Sequence, residues 1–238
     1  MMRSIAEQDI AELGGRLSVL ARQKRDHVQL NVLLEELKGT SGAEQGRVPL
    51  KRYQLVFPHA FAEESVLWPL RRRVLPDGHE RTLQVEREHQ EVNEIVVALE
   101  GLPLGDPTRD PLLAALAEVL REDVRNEEDE LLPWLQAGLN RNQQRSAGLV
   151  WELVRRTAPT RAHLVVARRP PGNVIAALPL SVLDRIRDFV DAAVLRDPSR
   201  VGSGLQRLST ALAGLSHRVE RLPVMRRGED PSTAPAAA

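Results

Sequence analysis

His59-Ala-Phe-Ala-Glu-Glu-Ser-Val-Leu-Trp-Pro69 is the stretch on which the reading of this chain turns, because its skeleton returns 64 residues later as Asp123-Val-Arg-Asn-Glu-Glu-Asp-Glu-Leu-Leu-Pro133. In each copy a metal-binding residue type, His59 or Asp123, stands four residues before the first of two glutamates, Glu63 or Glu127. Residues four apart share one helix face. Each copy can therefore aim two donor atoms at one point if that face looks inward. A lone His-x-x-x-Glu is common on solvated helices, so the pair gains meaning only from donors elsewhere in the chain.

Working outward, apolar periodicity predicts four amphipathic helices. The first spans about 16–38, with Leu20, Leu30, Leu34 and Leu37 on one stripe that includes His27. Gly39 and the turn-forming run 40–49 end it. The second covers about 50–74, with Pro58 predicting a kink or fresh start just before His59. The third, about 80–99, buries Leu83, Val85, Val92, Val96 and Leu99 beside His89; the fourth, about 111–137, carries Leu113, Leu116, Leu120, Leu131 and Leu135 on the face of Asp123 and Glu127. Short connections between such helices are the pattern of an up-down-up-down four-helix bundle, and no period-two alternation suggests a strand. The expected organisation is a lead-in over 1–15, weakly ordered, a bundle over 16–138, a helical extension over 139–224 and a disordered tail over 225–238.

Within the extension, 141–157 reads as a fifth helix and the Pro- and Arg-rich run 158–173 as a strap across the bundle. Ser181 and Asp184 suggest a capping-box helix start. Leucines and their neighbours at 205, 208, 212, 215, 219 and 222 form a short seam. That seam could pack on the preceding helix or join two copies of the chain. No acidic residue occurs from Leu153 to Leu183, where five arginines lie, and a solvated strap paired with the acidic bundle is the expected use of them.

Composition removes several function classes. There is no cysteine, which excludes disulfides, thiolate metal sites and cysteine nucleophiles. The 238-residue chain has zero formal net charge, so no global field draws it to nucleic acid or an anionic membrane. No run reaches membrane-spanning length and no signal peptide opens the chain, so a cytoplasmic location is expected.

The donors on the inward stripes are His27, His59, Glu63, His89, Asp123 and Glu127, with every helix contributing. Burying three imidazoles and three carboxylates among leucines without partners would be costly, and a cation resolves this. Six nitrogen and oxygen donors exceed the four of tetrahedral zinc. They suit two octahedral-type ions bridged by the glutamates, with iron expected and manganese as the alternative.

Asp26-His27, His59-Ala-Phe-Ala-Glu63-Glu64, Glu88-His89 and the Glu127-Glu128 to Leu132-Pro133 ending resemble the motifs of the hemerythrin-like, or HHE cation-binding, family over about 16–138. That resemblance implies a non-haem, oxo- or hydroxo-bridged di-iron centre that meets O2, peroxide or nitric oxide. It implies His27, His59, Glu63, His89 and Glu127 as ligands, both glutamates bridging. Asp123 departs from the family histidine, and Asn93 stands where oxygen-carrying members place a second histidine on the third helix. A carboxylate-rich set favours ferric iron, so reversible oxygen carriage ranks below stress sensing or a catalase-like decomposition of peroxide. A metal-dependent interaction module acting through the C-terminal helices is the alternative from a different class. Asp26, Glu64, Glu128 and Glu130 are expected at the solvated surface, as are His79, His163 and His217; Tyr53 is a weaker site candidate.

Overall fold

A computed structural model describes residues 2–38, 54–75, 77–103, 105–196 and 198–233. Among them every regular element is a helix. Helix α1 is Val19–Lys38. Helix α2 covers 54–74, α3 is Gly78–Gly101 and α4 covers 109–138. The four helices make the expected bundle, α3 packing on both α2 and α4. The extension adds α5, Arg141–Thr157, α6, Gly172–Arg196, and α7, Pro198–Glu220. Tyr53, Gly39 and the 40–49 turn lie outside the described residues.

Two helices are interrupted at the same place. Glu63–Leu67 in α2 and Glu127–Leu131 in α4 are π-turns, each closed by an i+5 bond, Trp68 N–H to the Glu63 carbonyl and Leu132 N–H to the Glu127 carbonyl. Pro69 and Pro133 follow at once and have no N–H to continue the ladder. The helix runs unbroken through Pro58, so the expected irregularity falls after His59 rather than before it. Single π-turns within α-helices concentrate at functional sites.

The core has two apolar halves. One gathers Leu20, Leu67, Trp68, Leu131, Leu132, Leu135 and Trp151 around the π-turns; the other gathers Leu30, Leu34, Phe57, Val92, Val96, Leu99, Leu116 and Leu120. Between them each bundle helix places its donor: His27 falls between Leu20 and Leu30, His89 between Val85 and Val92, Asp123 between Leu120 and Leu131. The donors thus form a polar layer between two apolar halves.

The extension is built into that core. Helix α5 begins with an Asn140/Gln143 capping box and packs on α1 and on the π-turn of α2. Gly148 makes this approach: a Cβ there would stand 2.2 Å from the Leu17 carbonyl oxygen. The lead-in is ordered too, Ile5 and Leu13 being fully buried in the same cluster as Trp151. Helix α6 starts at Gly172, not at Ser181, and continues through Pro179. Asp184 does not cap it; its carboxylate instead accepts the backbone N–H groups of Thr160 and Arg161, pinning the strap. Helix α7 packs along α6, although Leu208, Leu215 and Leu222 of its seam stay half-exposed. The tail is described as far as Thr233, which is buried.

Strap residues expected in solvent are buried, as Arg161 and His163 are, or partly so, as Arg169 is. Arg161 pairs with Asp188 and Asp191 at 2.8 and 2.6 Å, and Arg169 with Glu86 at 2.7 Å. His163 is wedged between Glu220 at 3.0 Å and Asp184 at 3.1 Å. Burial favours its neutral ring, but the two carboxylates outweigh this and push it up to about 9.

Candidate metal centre

All six sequence-predicted donors come together in the polar layer. Donor atoms of His27, His59, Glu63 and Glu127 lie within 4.8 Å of one another, and so do those of His89, Asp123 and Glu127. Glu127 belongs to both groups. Glu63 spans them as well, one oxygen 3.0 Å from His59 Nε2 and the other 3.7 Å from His89 Nε2. The arrangement is two adjoining nests that share Glu127 and are linked by Glu63, one with two imidazoles and the other with one imidazole and Asp123.

These atoms converge without satisfying each other. His27 Nε2 is 3.2 Å from Glu127 Oε2, yet neither alignment nor any other partner gives it a hydrogen bond. Both oxygens of Glu63, one of Glu127, one of Asp123 and His27 Nε2 are buried and lack a hydrogen bond. Such a concentration is expensive in an apolar interior. Other enclosed atoms lack partners too, the indole nitrogens of Trp68 and Trp151, Glu88 Oε2 and Arg155 Nε among them. A cation at the point of convergence would satisfy the whole set, and hard nitrogen and oxygen donors without sulfur fit iron or manganese.

The electrostatics of the metal-free cluster lead the same way. Burial raises Glu63 and Asp123 above the usual carboxylate range, and the charge of Glu127 raises them further. Burial alone would depress the histidines, but Glu127 and Glu128 lift His27 to about 9 and Glu64 with Asp123 lifts His89 to about 10. His59 also rises well above its ordinary value, burial being outweighed by Glu63 and Asp26. The histidines are thus held toward their charged form, and Glu63 and Asp123 toward their neutral one.

Behind each histidine stands a carboxylate that sequence reasoning assigned to the surface. Glu128 meets His27 Nδ1 at 3.0 Å, Glu64 meets His89 Nδ1 at 2.9 Å and Asp26 meets His59 Nδ1 at 3.5 Å. Asp26 and Glu64 are almost fully buried. Despite burial, the hydrogen bond with His59 brings Asp26 down to about 2. Carboxylates in this position fix the tautomer so that Nε2 faces the metal. In a wider π-turn successive residues diverge less around the axis, which lets Glu63 and Glu64 both turn inward. The repeated Glu-Glu pair was the signal available in the sequence. Glu130 and His79 are exposed, as expected. His217 is largely exposed while touching Glu220 at 2.7 Å.

Two further neighbours come from beyond the bundle. Trp151 of α5 stands edge-on to the His59 ring at 5.4 Å, and Arg155 lies over Trp151. Asn93 donates to the His89 carbonyl at 2.6 Å and accepts the His163 backbone N–H at 3.2 Å, joining strap to site. A cavity of about 30 Å³ opens on His59, His89, Asn93 and Asp123, walled by Leu30, Leu55, Val92 and Leu120.

Residues 18–135 match the family described as the hemerythrin HHE cation binding domain. The chain carries a hemerythrin HHE domain. It is 25% identical, over 134 residues, to an uncharacterized hemerythrin-like protein of Schizosaccharomyces pombe, a match covering 56% of this chain and 66% of that protein. No solved structure matches significantly. The matched segment ends before α5, so Trp151, Arg155 and the strap lie outside it while standing around the hemerythrin-like centre. No described helix is long and apolar enough to cross a membrane.

Proposed function

We propose that this hemerythrin-like protein holds two iron ions on His27, His59, Glu63, His89, Asp123 and Glu127 and uses them to react with or sense O2, peroxide or nitric oxide. The observation that carries this reading is the convergence of unpaired, buried donor atoms into two nests that share Glu127, with Glu63 reaching from one toward His89 of the other. When bound, an iron pair supplies one- and two-electron chemistry toward small oxidants. The chain's own part is positioning and exclusion. Asp26, Glu64 and Glu128 hold the imidazoles by their Nδ1 atoms. The leucine and valine walls line a cavity of about 30 Å³, which exceeds the ~10–15 Å³ that one water needs and so has room for a diatomic-sized molecule. The cavity borders both nests, and the nest of His89 and Asp123 has fewer protein donors, which supports it as the place where a small ligand arrives.

The test is reactivity. Iron-loaded protein, reduced anaerobically, should consume oxygen or peroxide stoichiometrically, with a change in its near-ultraviolet spectrum that Glu63→Ala abolishes. Sustained oxygen evolution from peroxide would identify a decomposing enzyme, and a single turnover a sensor. Iron-loaded protein indifferent to all three molecules would refute the reading.

A second reading, a protein-interaction module, is favoured by α6. Ile175, Leu178, Val182, Ile186 and Phe189 lie on one stripe and are 43–75% exposed. Light scattering should then give a mass above that of one chain, and Leu178→Asp with Phe189→Asp should restore the monomer mass. A wild-type monomer that pulls down no partner would remove this reading.

A further inference from the structure

A cleft of about 370 Å³ lies beside the metal centre, between the start of α2 and the helices of the extension. Arg155, Arg156 and Arg185 line it, together with Pro58, the residue before His59. Its one acidic wall residue, Asp188, is already engaged by Arg161, the Thr160 hydroxyl and Gln54.

Charge around the cleft does not balance. Glu152 alone serves Arg22 at 2.7 Å, Arg156 at 2.7 Å, Arg155 at 3.2 Å and Arg25 at 3.7 Å. Asp26 serves Arg25 at 2.9 Å and Arg155 at 3.7 Å. Among the described residues Arg185 has no carboxylate partner; it donates to the Ser181 hydroxyl and to the carbonyls of Arg156 and Ala158. The cleft wall itself therefore carries Arg155, Arg156 and Arg185 against the single carboxylate of Asp188, which Arg161 already engages. The Arg156 side chain is 73% exposed, and Arg155 Nε is enclosed without a hydrogen bond.

We propose that this cleft binds a small phosphate-bearing ligand. Guanidinium forks match phosphate oxygens two at a time. The volume, at the lower end of the range for small-molecule sites, suits a phosphate ester better than a bare ion. Arg155 is shared between the cleft and Asp26, and Asp26 faces His59 Nδ1. An anion that draws Arg155 outward loosens the support of His59, which would link ligand binding to the centre. That link rests on the metal reading; the binding itself does not.

Calorimetry on the full-length protein at low ionic strength, metal-free and iron-loaded, tests the site with inorganic phosphate, pyrophosphate and ribose 5-phosphate. The expected result is saturable one-to-one binding in both forms, tightest for the ester. Arg156→Gln, a change at an exposed side chain, should weaken it about tenfold, the usual scale for losing a charge-assisted hydrogen bond. Arg185→Gln should do likewise, with melting temperatures recorded to exclude misfolding. Absence of saturable binding for all three probes would overturn the proposal. So would affinities unchanged in both variants, or binding seen only with iron present and indifferent to Arg156→Gln, which would put the anion on the metal.

Discussion

Glu64 and Glu128 occupy equivalent places in the two halves of the site, each the second glutamate of its pair and each on an imidazole Nδ1. Removing such a partner leaves the metal ligands in place but unsupported. Glu64→Gln or Glu128→Gln should weaken metal binding by about 10–100-fold, the usual cost of losing a carboxylate behind a ligating histidine. Competition with a chelator measures it. The sign of the pH dependence follows from the same contacts. His27 and His89 hold their protons to about 9 and 10 in the metal-free fold, against about 6.5 when unfolded. The stability that these pairs provide is complete below about 6.5 and is lost as pH rises through those values. Burial-raised Glu63 and Asp123 act in the same direction. The metal-free protein should therefore melt at lower temperature as pH climbs from 7 to 10, while the stabilisation conferred by metal grows, because its ligands must be deprotonated. A metal-free melting temperature that rises over this range would contradict these assignments.

At the scale of elements, spacing alone was enough to find the inward stripes of the four bundle helices, because periodicity is local and each donor sits among leucines. It could not place Glu64, Glu128 or Asp26. A regular helix turns the residue after a ligand away from the ligand's face, and the π-turns of α2 and α4 change that angle only once tertiary packing has formed them. Asp26 reaches across to the histidine of another helix, a pairing without any sequence spacing to reveal it. Trp151 was legible as part of a helix but not as a wall of the site, since the docking of α5 depends on Gly148 meeting the backbone of residues 17–19. Gly148→Ala should cost about 1–3 kcal/mol or more, as overpacking does. It should also redden the Trp151 fluorescence as α5 lifts from His59. Unchanged melting temperature and emission would show that α5 is not held by this approach.

Taken whole, the molecule is a hemerythrin-like bundle whose polar layer is sealed from outside its own domain. The lead-in buries Ile5 and Leu13 below the π-turns, α5 closes the side of His59, and the strap fastens on Asn93 through His163. The sequence placed the strap across the bundle, but chain order hides which remote segment completes a core. All of this serves one claim, that the six converging donors hold a pair of metal ions. Metal analysis of protein purified aerobically from iron-supplemented cells tests it most directly. Two iron atoms per chain are expected, with near-ultraviolet charge-transfer absorption, falling to one or none in Glu127→Ala. A folded wild-type protein that stays colourless and metal-free after reconstitution with iron or manganese would contradict the account.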